Sequence, residues 1–136
     1  MILADTSAWA EYDRATGSSV DLRLAELIST DGPLTVSEPV VMEVLAGART
    51  QARQNDLRRL LSGVRLLPFD AVVDFDAAAR IYRRCRAAGV TPRGMIDCMI
   101  AAVALRREAS LLSCDIDLYR VATVVEIHLD DASLRG

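Results

Sequence analysis

The 136-residue chain contains no lysine: all 16 of its basic residues are arginine, and it has a single histidine, His128. Missing lysine excludes the phosphate-gripping Gly-Lys-Ser/Thr loop and Schiff-base chemistry. One histidine excludes two-histidine ribonuclease chemistry and leaves little room for a serine triad. Only three cysteines occur, Cys85, Cys98 and Cys114, with no Cys-x-x-Cys pair, so a Cys/His zinc site is not expected. The odd count predicts reduced, buried thiols, with Cys98 and Cys114 in packing roles. No apolar run approaches the roughly 18 residues of a membrane span, and Met1-Ile2-Leu3-Ala4-Asp5 has no charged leader before an apolar core. A cytoplasmic protein is the expectation.

What remains in quantity is carboxylate. Nineteen acidic residues give a formal net charge of −3, within a composition 51 % apolar and 26 % charged. That balance describes a folded chain, and the length is that of a single domain, residues 1–136, able to bury a core without staples.

Short apolar runs alternate with helical patterns. Met1–Ala4, Leu34–Val36, Val64–Leu67, Ser110–Ser113 and Thr123–Ile127 read as strands. Helices are expected after Thr6 or Ser7, over 20–29, 38–46, 51–61, 70–88 and 95–107, with a short one around 118–121. Pro39 falls in the first turn of the third helix, and Gly89 stops the fifth. The alternation predicts an α/β fold of three layers, α/β/α, around a mostly parallel central sheet of four to five strands.

In such sheets ligands bind beyond the carboxyl ends of the strands. Asp5 follows the first strand and Asp115 follows Leu111-Leu112-Ser113-Cys114. Asp97 is the sole charge in the run from Gly94 to Leu105, on a helix apolar on most sides, where an ionised carboxylate is costly without a cation or donors. Glu43 lies at the edge of an apolar stripe marked by Val40 and Val44. Asp117, two residues after Asp115, is within reach of the same cation through a turn. Asp70, Asp74 and Asp76 read as capping and first-turn residues, Asp13, Asp21, Glu26 and Asp31 as solvated, and Asp130 and Asp131 as part of a polar tail.

Carboxylates that converge raise one another's pKa, and a divalent cation relieves the conflict. Oxygen-only ligation suits Mg²⁺, with Mn²⁺ as a substitute, and such ions act naturally on phosphodiesters. For an acidic protein, binding nucleic acid depends on where the positive charge lies. Arg49 and Arg53 share a helix face, as do Arg80 and Arg84; Arg83, Arg86 and Arg93 extend a basic patch toward the Asp97 helix. Arg93 is the expected phosphate contact, since its loop immediately precedes Asp97.

The same segments carry a resemblance. Met1-Ile2-Leu3-Ala4-Asp5-Thr6-Ser7-Ala8-Trp9 resembles the opening of a PIN-domain nuclease of the VapC toxin type. Glu38 to Gly47, Asp97 to Ala104 and Ser113 to Leu118 are similar to that family's second, third and fourth motifs. The ordered set spans nearly the whole chain. The fourth motif departs at Ser113 and Leu118, where the family often has Thr and Phe. The resemblance implies a Mg²⁺-dependent endoribonuclease, the toxin of a type II toxin–antitoxin pair, acting on transfer or ribosomal RNA. It implies a homodimer whose groove a VapB-like antitoxin blocks. By motif, Asp5 and Asp97 carry over as principal metal ligands, Glu43 and Asp115 as the remaining acids, Asp117 as a further ligand, and Thr6 or Ser7 as groups orienting the first aspartate or a bound water. Three alternatives compete. A phosphorylation-controlled receiver needs a lysine that is absent, and an Asp-x-Asp phosphatase needs a second aspartate where Ser7 stands. A non-catalytic RNA-binding or interaction module of the same fold would not need the full acidic set.

Overall fold

The computed structural model describes residues 1–133. Among them, four strands form one fully parallel sheet in the order β3-β2-β1-β4, with β1 Ile2–Ala4, β2 Leu34–Val36, β3 Arg65–Leu66 and β4 Ser110–Leu112. Ile2, Leu3 and Ala4 are buried in succession, the continuous apolar reading of a strand covered on both faces. Seven helices connect and cover the sheet among the described residues: α1 Thr6–Arg14, α2 Ser19–Ser29, α3 Glu38–Ala46, α4 Gln51–Ser62, α5 Ala71–Ala87, α6 Ile96–Arg107 and α7 Ile116–Val125.

Topology decides where these helices go. From β1 to β2 to β3 the chain moves one way across the sheet; from β3 it returns past β1 to β4. Parallel crossovers are right-handed, so α1–α4 cover one face and α5–α6 the other. The direction reverses between β1 and β4, which makes their carboxyl ends the crevice of the sheet. Leu3, Trp9, Leu24, Leu67, Ile100 and Leu112 are fully buried around it.

The expected fifth strand is not formed. Thr123–Val125 are the last turn of α7, Glu126 closes that helix at φ 62°, and only Leu129 bridges to β4, at Leu111. The β-branched run Thr123-Val124-Val125 favours a strand locally. Burial overrides it: Leu118, Val121, Ala122 and Val125, spaced i, i+3, i+4 and i+7, all face the interior.

Several acids are also more structural than expected. Asp21 is buried and accepts the Gly17 N–H at 2.8 Å. Asp130 is buried in a two-point contact with Arg23 Nε, at 3.1 and 3.0 Å. Asp74 is fully buried and held by Arg106. In each case a charged side chain sits inside because a matched donor meets it; for Asp74 and Asp130 that donor lies too far along the chain for local periodicity to announce it.

Candidate active site

The crevice between β1 and β4 is where the acids gather. Asp5 leaves β1, caps α1 through the Ala8 N–H at 2.9 Å, and is 2 % exposed. Strand register explains its neighbours: Ala4 pairs with Leu112, so Ser113 comes level with Asp5. The Ser113 hydroxyl donates to Asp5 Oδ2 at 2.7 Å and the Ser7 hydroxyl to Oδ1 at 2.7 Å. Even with three donors, burial pushes the Asp5 carboxyl up to about 6; Ser113, Ser7 and Ala8 pull it back, and Asp115 adds repulsion.

Asp97 stands in the first turn of α6, a half-buried position. The helix N-terminus favours its negative charge. Its pKa nonetheless rises to about 7, first from burial and then from repulsion by Asp115, Asp5, Glu43 and Asp117. An aspartate merely satisfied by a helix end would not behave so. Four carboxylates, from α1's cap, α3 and the start of α7, therefore lie near enough to repel it, which brings the expected residues 5, 43, 97, 115 and 117 to the same end of the sheet.

The supporting groups divide the work. Ser7 steadies Asp5 and also accepts the Cys114 N–H at 3.0 Å. The Thr6 hydroxyl donates to Glu43 Oε1 at 2.5 Å, tying α1 to α3. Asp115 caps α7 by accepting the Asp117 N–H at 3.0 Å. Ser113 stands in the sequence only as a motif position with no role; the role comes from the β1–β4 register, which places it beside Asp5. It holds Asp5 with its hydroxyl proton and accepts the Asp115 N–H at 3.0 Å, so one side chain couples two acids. Of the cysteines, Cys85 and Cys98 are buried as expected, but Cys114 is exposed at the rim, because the chain turns outward there between β4 and α7.

Arg93 does not point away to a distant ligand. It reaches over the acids, its Nη2 donating to Asp115 Oδ1 at 3.1 Å and its Nε to Asp117, while 76 % of its side chain stays exposed. A solvent-exposed guanidinium thus stands where positive charge is wanted. Among the described residues no three acidic, His or Cys side chains are drawn together tightly enough to hold an ion unaided. The donor set still fits a hard divalent cation: all oxygen, several acids, and mutual repulsion that such a charge would relieve.

A family model for the PIN domain matches residues 2–124. Over 136 residues the chain is 43 % identical to the VapC ribonuclease Mb1587 of Mycobacterium bovis and to ribonuclease VapC11 of Mycobacterium tuberculosis, covering 99 % of this chain and 100 % of each relative. The chain belongs to the PIN-domain family, among the VapC ribonucleases. Solved structures agree on the VapC fold. The VapBC2 structure from Rickettsia felis, bound to a promoter DNA fragment, superposes with a TM-score of 0.75 at 18 % identity, covering 96 % of this chain and 98 % of that one. VapC20 of M. tuberculosis, a sarcin-ricin-loop-cleaving toxin, gives 0.66 at 20 % identity, covering 88 % and 93 %. No helix among the described residues is long and apolar enough to cross a membrane.

Proposed function

We propose that this VapC-type chain is a divalent-metal-dependent endoribonuclease, the toxin of a toxin–antitoxin pair. Asp5, Glu43, Asp97, Asp115 and Asp117 are its metal-holding and catalytic acids. The observation that carries the reading is Asp97, whose carboxyl is driven to about 7 by burial and four neighbouring carboxylates. A non-catalytic RNA-binding module would gain nothing from that repulsion, which disfavours both the fold and an anionic ligand.

Mg²⁺ is the assigned ion and Mn²⁺ its substitute, on the preference of hard cations for oxygen donors. When bound, the ion supplies Lewis acidity to an attacking water and to the phosphoryl oxygens. The protein's own part is positional. Ser113 and Ser7 hold both oxygens of Asp5 in fixed directions. Thr6 fixes Glu43, leaving its second oxygen directed by that contact. Asp97, about half protonated near neutral pH, would have to be ionised to help hold the cation. Arg93, exposed beside Asp115 and Asp117, would be placed to meet the scissile phosphate once those acids held the cation.

The substrate assigned is transfer or ribosomal RNA, in keeping with a structural relative named for cleaving the sarcin-ricin loop. The partner assigned is a VapB-like antitoxin, in keeping with the VapBC complexes that share the fold. The whole of 1–136 is read as one nuclease domain, working as a homodimer in the cytoplasm. The test is cleavage of cellular RNA by the purified protein. Activity should require added Mg²⁺ or Mn²⁺ and vanish on chelation, and Asp97→Asn should bind RNA without cutting it. Cleavage undiminished in chelator, or by Asp97→Asn, would refute the assignment.

A further inference from the structure

From residue 77 to residue 96 the chain carries five arginines and no acid, in a protein of net charge −3. The rest of the sequence holds eleven arginines against nineteen acids. Positive charge is therefore concentrated in one segment, the second half of α5 and its loop into α6. Arg80, Arg83, Arg84 and Arg86 line a surface depression of about 650 Å³ together with Ala87. Arg83, Arg84 and Arg86 are exposed and form no ion pair among the described residues. Arg86 lies over the Tyr82 ring at 5.7 Å, which orients its guanidinium.

The position of this depression follows from the helix pair beneath it. α5 and α6 run antiparallel, pinned at one end by Asp74 and Arg106. Nine residues along α5 from Asp74 is Arg83, and nine residues back along α6 from Arg106 is Asp97. Equal rise per residue brings Arg83 to the height of Asp97 along the helix pair, each about two and a half turns from the pin and so on the opposite face of its own helix. Beyond the helix ends, Arg93 carries the positive line onto Asp115 and Asp117.

We propose that the α5 arginines form a phosphate-binding track that holds the RNA backbone flanking the cleavage site, with Arg83, Arg84 and Arg86 as its principal contacts. This rests on the ribonuclease reading above. A polyanionic strand is favoured over an acidic protein segment because the depression offers guanidinium forks and only Ala87 as apolar lining. Protein partners anchor through buried aromatic or aliphatic side chains, for which it has no pocket. Guanidinium groups match phosphate oxygens in two-point contact.

The test compares Arg83→Gln/Arg84→Gln/Arg86→Gln with wild type, both carrying Asp97→Asn so that RNA is bound and not cut. Affinity for a long oligouridylate is followed against salt concentration. Each phosphate contact on a single strand contributes about 0.7 to the logarithmic slope, so losing three should lower it by about 2. The corresponding triple lysine variant should keep most of the slope. On the active background, KM for RNA should rise more than kcat falls, and Arg58→Gln/Arg59→Gln on α4 should move neither. An unchanged slope in the triple glutamine variant overturns the track, as does a loss confined to poly-glutamate binding, which would assign the patch to an acidic protein. A wild type that neither cuts nor binds RNA overturns the track and the ribonuclease reading together. One that cuts RNA while the triple variant keeps its slope overturns the track alone.

Discussion

Two ends of the α5–α6 pair bury an aspartate, and the two behave oppositely. At one end Asp74 is fully buried, yet its pKa lies below the ordinary value. Burial alone would raise it; Arg106 grips both oxygens at 2.9 and 2.8 Å and the Asp70 N–H adds a third donor. At the other end Asp97 is less deeply buried and rises to about 7. Its neighbours are other carboxylates. A structural carboxylate arrives with its own cation, fixed by packing. The carboxylates proposed as the active site are assembled without enough of one, so a divalent ion held among them would relieve their repulsion. Buried charge by itself therefore does not mark a site; buried charge without its counter-ion does.

Removing each carboxylate charge should cost activity at one end and stability at the other. Asp97→Asn should lower the cleavage rate on the order of 10³-fold, equivalent to about 4 kcal/mol of transition-state stabilisation, read by single-turnover RNA cleavage in Mg²⁺. The same variant should unfold no earlier than wild type in metal-free buffer, since a repulsion has been removed. Asp74→Asn should leave cleavage nearly intact and cost about 2–3 kcal/mol in urea unfolding. That is below the full cost of a buried pair because Arg106 keeps 30 % of its side chain in water. If Asp74→Asn costs activity and Asp97→Asn costs stability, the distinction drawn here is wrong.

The contrast was only half visible in the residues. Asp97 declared itself, as a lone charge in an apolar helix. Asp5 and Asp115 did so through their places after apolar strands, and the parallel sheet follows from those same strands. Asp74 gave no such sign: it looked like a first-turn acid, because its partner Arg106 lies 32 residues away on another helix. Asp130 with Arg23 was hidden for the same reason, across 107 residues. Ser113 is legible in the sequence as a motif position, but its hold on Asp5 depends on strand register. The false fifth strand came from β-branched residues whose local preference yields to helical burial. Period and end-of-strand placement are local signals and can be read along the chain; ion pairing and register are properties of the folded chain.

The two ends should also separate along the pH axis in metal-free protein. Asp5 and Asp97 have folded pKa values, about 6 and about 7, above the ordinary 3.8. The folded state therefore binds more protons than the unfolded state, and their stabilisation, complete below 3.8, is lost as pH rises through 6 to 7. Asp74 has the opposite sign: its contribution is present above 3.8 and is lost as pH falls through its lowered value. Thermal stability should therefore peak between about pH 4 and 5 and fall toward pH 8 by about 4 kcal/mol, before any discount for solvent screening at half-buried Asp97, a drop of many degrees. Mg²⁺ should flatten the alkaline limb, and Asp97→Asn should remove much of it. A metal-free Tm that climbs steadily from pH 5 to pH 8 would contradict the proton count.

The smallest effect concerns the two arginines. Arg106 is half-enclosed and donates to both Asp74 oxygens and the Pro68 carbonyl at 2.7 Å, so it is part of the frame. Arg93 is 76 % exposed and contacts Asp115 and Asp117 from the solvent side. An exposed pair of this kind contributes little to stability and exchanges readily. Arg93→Gln should therefore leave the unfolding midpoint unchanged and tighten Mn²⁺ binding by about two- to fivefold in calorimetric titration, since a competing cation has gone. Arg106→Gln should do the reverse, costing stability with no change in Mn²⁺ affinity. Equal Mn²⁺ affinities in wild type and Arg93→Gln would show that this guanidinium does not compete for the acids. It would then be, like Arg106, a fixed partner, despite its exposure.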